Sequence, residues 1–167
     1  MGRTTLVLGG ARSGKSEVAE AIAAGAADVV TYVATAASPD GDDPEWAARI
    51  AAHRARRPAA WTTVEVAADL APVLARLRGV VVVDSLGTWV ASSPGFDVDA
   101  RALVEALAGR DGDTIVVSDE VGLGVHPETE VGLAFRDALG SVNRAVAAAA
   151  DEAWLVVAGR RLRLEAT

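Results

Sequence analysis

The sequence predicts an α/β protein, a mainly parallel sheet with helices on both faces, and three observations carry that expectation. Short β-branched runs are apolar throughout rather than alternating, helical patterns lie between most of them, and the first run passes through a glycine-rich turn straight into a helix. A strand covered on both faces has no polar side to show, and intervening helices supply right-handed crossovers. Ligands of such folds bind beyond the carboxyl ends of the strands.

In chain order, strands are expected at Thr5 to Leu8, Val29 to Ala34, Thr62 to Val66, Val80 to Val83, Thr114 to Val117 and Trp154 to Val157. Helices are expected at Lys15 to Ala24, Pro44 to Arg57, Leu70 to Leu77, Val98 to Ala108 and Glu128 to about Ala150. In the last, Phe135, Leu139, Val142, Val146 and Ala149 recur at three- and four-residue steps and form a core face. Pro, Gly, Ser and Asp mark Ala36 to Asp43 and Ala91 to Asp97 as exposed loops too short to be linkers. Arg160 to Leu164 alternates charged and apolar residues, which suits an edge strand.

The 167 residues, 51% hydrophobic and 23% charged, fit one domain spanning 1–167. Sixteen basic against 23 acidic residues give a net charge of -7, a poor balance for binding nucleic acid. No cysteine is present, so disulfides and thiolate metal sites are impossible. The opening MGRTTLVLGG has no export-length apolar stretch, and the run at Val80 to Val83 stops at Asp84. A cytoplasmic protein without a membrane span is expected. Fifteen of the 16 basic residues are arginine, leaving Lys15 as the single lysine.

That lysine sits in a phosphate-loop motif. Gly9, Gly10, Ala11, Arg12, Ser13, Gly14, Lys15 and Ser16 have the Walker A spacing between a strand and a helix. The glycines let backbone N–H groups face phosphates, Lys15 places a charge on the β and γ oxygens, and the Ser16 hydroxyl can ligate Mg²⁺ at a positive helix N-terminus. Asp84, ending VVVVD, reads by itself equally as a turn former or as the acid of a Walker B strand; joined to the phosphate loop it reads as the acid that meets Mg²⁺, directly or through water. Asp119 and Glu120 end the next strand at the same sheet edge. They read either as a further carboxylate near the metal or as a cap for the loop before Pro127.

Guanine-reading switch GTPases need an Asn-Lys-x-Asp motif, excluded by the single lysine, and no glutamine is present to orient water. A transferase to an organic acceptor is the better reading; a nucleotide-binding module without transfer activity is the alternative outside enzymes. On the helix from Pro44, Trp46, Ile50, His53 and Arg57 share a stripe, and Arg54, Arg56 and Arg57 form the densest basic cluster. An imidazole there can be a base, a donor or a nucleophile toward phosphorus. Spacing alone nonetheless favours a surface histidine among solvated arginines. His126 reads as a loop residue, and two histidines without cysteine make no zinc site.

The stretches LGGARSGKSEVAE, YVAT, WAARIAAHRARRPAAWTTVE, VVVDSLGTWV and VSDEVGLGVHPETEVGLAFRDALGSVNRAVAAAADEAWLVVAGRRLRL resemble the bifunctional adenosylcobinamide kinase/adenosylcobinamide-phosphate guanylyltransferase family over nearly the whole chain. The resemblance implies a P-loop NTPase-like fold and two reactions in cobalamin biosynthesis. A nucleoside triphosphate, ATP or GTP, phosphorylates adenosylcobinamide, and GMP from GTP is then transferred to that phosphate, giving adenosylcobinamide-GDP. The family carries GMP on a histidine within R-I-x-x-H-[KR], matched by Arg49, Ile50, His53 and Arg54, so His53 is implied as the nucleophile. Nucleotide contacts are implied at Gly9 to Ser16, Ala34, Thr35, Ala36, Arg54, Ala55, Arg56, Arg57, Glu65 and Asp84, with Mg²⁺ on Ser16 and Asp84. A homo-oligomer such as a trimer is also implied. The chain departs from the family pattern at Asp119, usually Asn, between Gly87 and Ala91, and in the longer SPDGDDPE loop. Another P-loop small-molecule kinase is the alternative enzyme.

Overall fold

The computed structural model describes residues 1–35, 48, 51 and 54–166. Ala36 and its loop, Arg49, Ile50, His53 and most of the helix expected from Pro44 lie outside the described residues.

The first strand, β1 (Thr4–Gly9), turns into α1 (Lys15–Ala26), followed by β2 (Val30–Ala34), β3 (Thr62–Glu65), α2 (Leu70–Arg76) and β4 (Val80–Asp84). Then come α3 (Leu86–Ser92), a 3-10 turn at Pro94–Phe96, α4 (Ala100–Ala108), β5 (Thr114–Asp119), α5 (Glu130–Ala149), β6 (Glu152–Val157) and β7 (Arg160–Leu164). The sheet order is β3-β2-β4-β5-β1-β6-β7, and every neighbouring pair is parallel except the terminal β6–β7 hairpin. Because β5 lies between β1 and β4, the phosphate loop, Asp119 and Asp84 stand side by side along one sheet edge.

Both faces are apolar because both are covered. Val7, Tyr32, Val82, Ile115 and Val117 pack with Ala19 and Ala23 of α1, while Leu6, Leu8, Val33, Val81, Val83 and Val116 lie beneath residues such as Leu74, Leu103 and Leu139 from the helices of the other face. The outer strand β3 is largely exposed. Arg110, 3% exposed, donates to Thr114 Oγ1 at 2.8 Å and to the carbonyls of Leu74, Leu77 and Gly79 at 2.9, 2.7 and 2.6 Å. It thereby joins the end of α2 to the start of β4 and β5, at the sheet edge opposite the phosphate loop.

Three local expectations need correction. Helix α3 was not among the expected helices: seven residues are too few to show a period, and it is held by a capping box in which Ser85 and Thr88 satisfy each other's backbone amides. The supposed loop from Ala91 to Asp97 includes the end of this helix and the 3-10 turn, with Phe96 edge-on to Phe135 at 5.5 Å and Ser93 buried. Ala149 is exposed at the end of α5, although Leu139, Val142 and Val146 face the core as their spacing requires.

Candidate active site

The phosphate loop is a tight backbone turn that depends on glycine at two of its positions. A side chain on Gly9 would meet Ser13 Oγ at 2.4 Å, and Gly14 adopts φ of 90°, which carries a strain cost for side-chain-bearing residues. The Ser13 amide donates to the Gly10 carbonyl at 3.3 Å, and the Gly159 amide of the β6–β7 turn donates to the Ser13 carbonyl at 2.7 Å. The terminal hairpin therefore braces the loop from outside. Gly10, Ala11 and Arg12 are exposed at its tip, while Lys15 and Ser16, opening α1, are buried. Lys15 Nζ donates to the Gly10 carbonyl at 3.2 Å and pairs with Asp119 Oδ1 at 2.8 Å.

Asp119 reaches Lys15 because the β1–β5 register sets it opposite Gly9. Its other oxygen lies 3.4 Å from Ser85 Oγ and occupies space that a side chain at Gly87 would fill, a Cβ there falling 2.0 Å away. Asn143 holds the strand end, donating to the Asp119 carbonyl at 3.0 Å and accepting from Ser118 Oγ at 2.6 Å. Glu120 instead accepts from the amides of Gly122 and Leu123, the turn-capping role among its two readings.

Asp84 ends β4, and Tyr32 of β2 donates its phenolic hydrogen to Asp84 Oδ2. Burial, and then the adjacent Asp84 charge, push the phenol well above its ordinary pKa, so Tyr32 stays a neutral donor. A Ser16 hydroxyl and an Asp84 carboxylate are hard oxygen donors suited to Mg²⁺, which binds through one or two protein groups plus substrate phosphates.

Each arginine of the run has a protein partner. Arg54 pairs with Glu65 of β3; Arg56 pairs with Glu17 at 2.8 Å and Glu20 at 3.5 Å on α1; Arg57 donates to Thr63 at 3.0 Å and stacks 3.3 Å above the Tyr32 ring. These cations thus have protein partners and are not simply solvated. Burial raises the pKa of Glu20, partly offset by Arg56.

Of the residues expected at the site, Gly9 to Ser16, Ala34, Thr35, Arg54 to Arg57, Glu65 and Asp84 gather at the carboxyl edge of β1–β4. Thr35 is fully buried, its hydroxyl engaged with the Ser85 backbone at 2.5 and 2.9 Å and with Thr88 Oγ1 at 2.5 Å, so its side chain shapes the site from beneath. His126 is exposed in the loop after β5. Tyr32, Thr88 and Asn143 escaped the sequence reading. The available signal was a polar tip within an otherwise apolar run, which must find a partner when buried.

A family model described as cobinamide kinase / cobinamide phosphate guanyltransferase matches residues 5–164. The chain belongs to this family. The chain is 40% identical, over 96% of each sequence, to "Bifunctional adenosylcobalamin biosynthesis protein CobP" of Pseudomonas aeruginosa. The similarly named CobU proteins of Salmonella typhimurium and Escherichia coli are 37% and 35% identical, over 96% of this chain and 98% of each relative. This family member is therefore similar over 96% of its length to proteins named as bifunctional, with the phosphate loop, Asp84 and Asp119 inside the family match at residues 5–164. Among the described residues, no helix is long and apolar enough to cross a membrane.

Proposed function

We propose that this protein phosphorylates adenosylcobinamide with ATP or GTP and then transfers GMP from GTP, through His53, to the phosphate so made. The observation that carries the reading is the docking of the Arg54–Arg57 run, which directly follows His53, onto the phosphate-loop helix through Arg56 and the Glu17 and Glu20 carboxylates. A triphosphate on Gly9 to Ser16 and the residues after His53 then share one sheet edge.

In the first reaction the acceptor hydroxyl attacks the γ-phosphorus and releases its proton to solvent, a new O–P bond forms, and the bond from that phosphorus to the bridging oxygen breaks, the oxygen leaving with the nucleoside diphosphate. Lys15 and the loop amides stabilise the charge gathering on that leaving group. In the second, a neutral His53 nitrogen attacks the α-phosphorus of GTP and pyrophosphate departs. A phosphate oxygen of the cobinamide phosphate then attacks the same phosphorus, breaking the N–P bond and restoring the imidazole. Ser16 and Asp84 would hold Mg²⁺ together with the phosphates, and the ion would supply charge neutralisation there. We place the protein in the cytoplasm as a homo-oligomer such as a trimer.

The test is incubation with α-labelled GTP and Mg²⁺ in the absence of corrinoid. Wild type should release pyrophosphate and retain acid-labile, base-stable label after denaturation, and His53→Ala should do neither. Label persisting on His53→Ala overturns the nucleophile. Absence of label from wild type, alongside γ-phosphoryl transfer, points to another P-loop small-molecule kinase; absence of both activities points to a binding module.

A further inference from the structure

Tyr32, the chain's single tyrosine, touches both sides of this site. Its ring is 1% exposed on the sheet face beneath α1, and in the β2–β4 register it stands opposite Val82, one diagonal step from Asp84. A phenol buried there needs a hydrogen-bond acceptor, and Asp84 Oδ2 is that acceptor. One carboxylate oxygen is thereby committed to the protein and the side chain is held in one orientation. The Arg57 guanidinium lies 3.3 Å from the ring centre, while its Nη1 reaches Thr63 on the outermost strand. A partly buried cation over an aromatic face is a stronger contact than the same pair in water.

We propose that Tyr32 is a positioning residue with two separable tasks: its hydroxyl orients Asp84 toward the metal of the metal–nucleotide complex, and its ring seats Arg57 and with it the segment following His53. The inference rests on the reading of Asp84 and His53 given above. Because one rigid side chain serves both groups, the metal acid and the arginine run are held in a common frame rather than adjusting independently. Tyr32→Phe removes the first task and keeps the second, whereas Tyr32→Leu removes both.

The test uses Mn²⁺ as the probe, with binding to the GTP–protein complex read by electron paramagnetic resonance and guanylylation read by α-label on the protein. Tyr32→Phe should weaken Mn²⁺ binding about fivefold or more, leave GTP binding in chelator unchanged, and recover wild-type labelling at saturating Mn²⁺. Tyr32→Leu should remain deficient in labelling at saturating Mn²⁺, and adding Arg57→Ala to it should cost less than Arg57→Ala alone. If Tyr32→Leu does not fold, Arg57→Ala in the Tyr32→Phe background replaces it, and the seating role requires the full Arg57→Ala loss there. Wild-type Mn²⁺ affinity in Tyr32→Phe overturns the first task. Independent, multiplicative losses from Tyr32→Leu and Arg57→Ala, or an Arg57→Ala loss that vanishes with the hydroxyl alone, overturn the second. Failure of wild type to take label counts against guanylyl transfer itself, while Mn²⁺ binding still reports on Tyr32 and Asp84.

Discussion

Lys15 supplies the only side-chain ammonium in the chain, and it is paired with the Asp119 carboxylate. A triphosphate entering the loop competes with Asp119 for that charge. Lys15→Ala is expected to weaken triphosphate binding and to lower both reactions by about 100-fold or more, the scale of losing one charge-stabilising donor; isothermal titration with GTP and both rate assays check it. Asp119→Asn has the opposite expected effect on binding. It removes a competing pair worth about 1 kcal/mol in a partly exposed setting, which corresponds to roughly fivefold tighter GTP binding. An unchanged or weaker affinity would mean that Asp119 orients Lys15 more than it competes for it.

At the level of elements, the long periodic helix and the apolar strands were legible because each carries enough residues to show its pattern. Helix α3 was not, since its cap is a two-residue exchange between Ser85 and Thr88 whose meaning depends on β4 ending just before it. Arg110 was hidden for a similar reason: the carbonyls it satisfies come from residues more than 30 positions away. Its burial lowers the guanidinium pKa, and backbone carbonyls with Thr114, rather than an acid, hold its hydrogen atoms. Arg110→Ala leaves those carbonyls without their donor and is expected to cost roughly 2–4 kcal/mol of stability. Arg110→Lys should recover only part of it, both read by urea unfolding, with nucleotide affinity little changed because these contacts lie at the far end of the sheet.

Across the whole molecule, the partly buried carboxylate of Glu20 couples stability to pH. Desolvation raises its folded pKa above the ordinary 4.5, so the native state holds this proton more tightly than the unfolded chain. The contribution is fully present below 4.5 and is lost as pH rises through the higher folded value. Glu20→Gln should therefore flatten the fall in stability between pH 4.5 and neutrality; unfolding of both proteins across that range is the check. A slope identical to wild type would assign the pH dependence to other groups.

The chain alone announced an α/β sheet and a phosphate loop, because apolar runs, a strand-to-helix junction and the Gly9–Ser16 spacing are local properties that no tertiary contact has to complete. Asp84 was legible for the same reason, as an acid at the end of an apolar run. Which carboxylate meets Lys15 was not legible. That depends on β5 entering the sheet between β1 and β4 and on a register that sets Asp119 opposite Gly9, both consequences of long-range pairing. The fate of the arginines was likewise settled in three dimensions: sequence spacing made them solvated cations, whereas the packing of α1, β2 and β3 set Glu17, Glu20, Glu65 and Tyr32 around them. A side chain's periodicity reports which face it occupies, but its electrostatic partner is whatever the folded chain carries to that place.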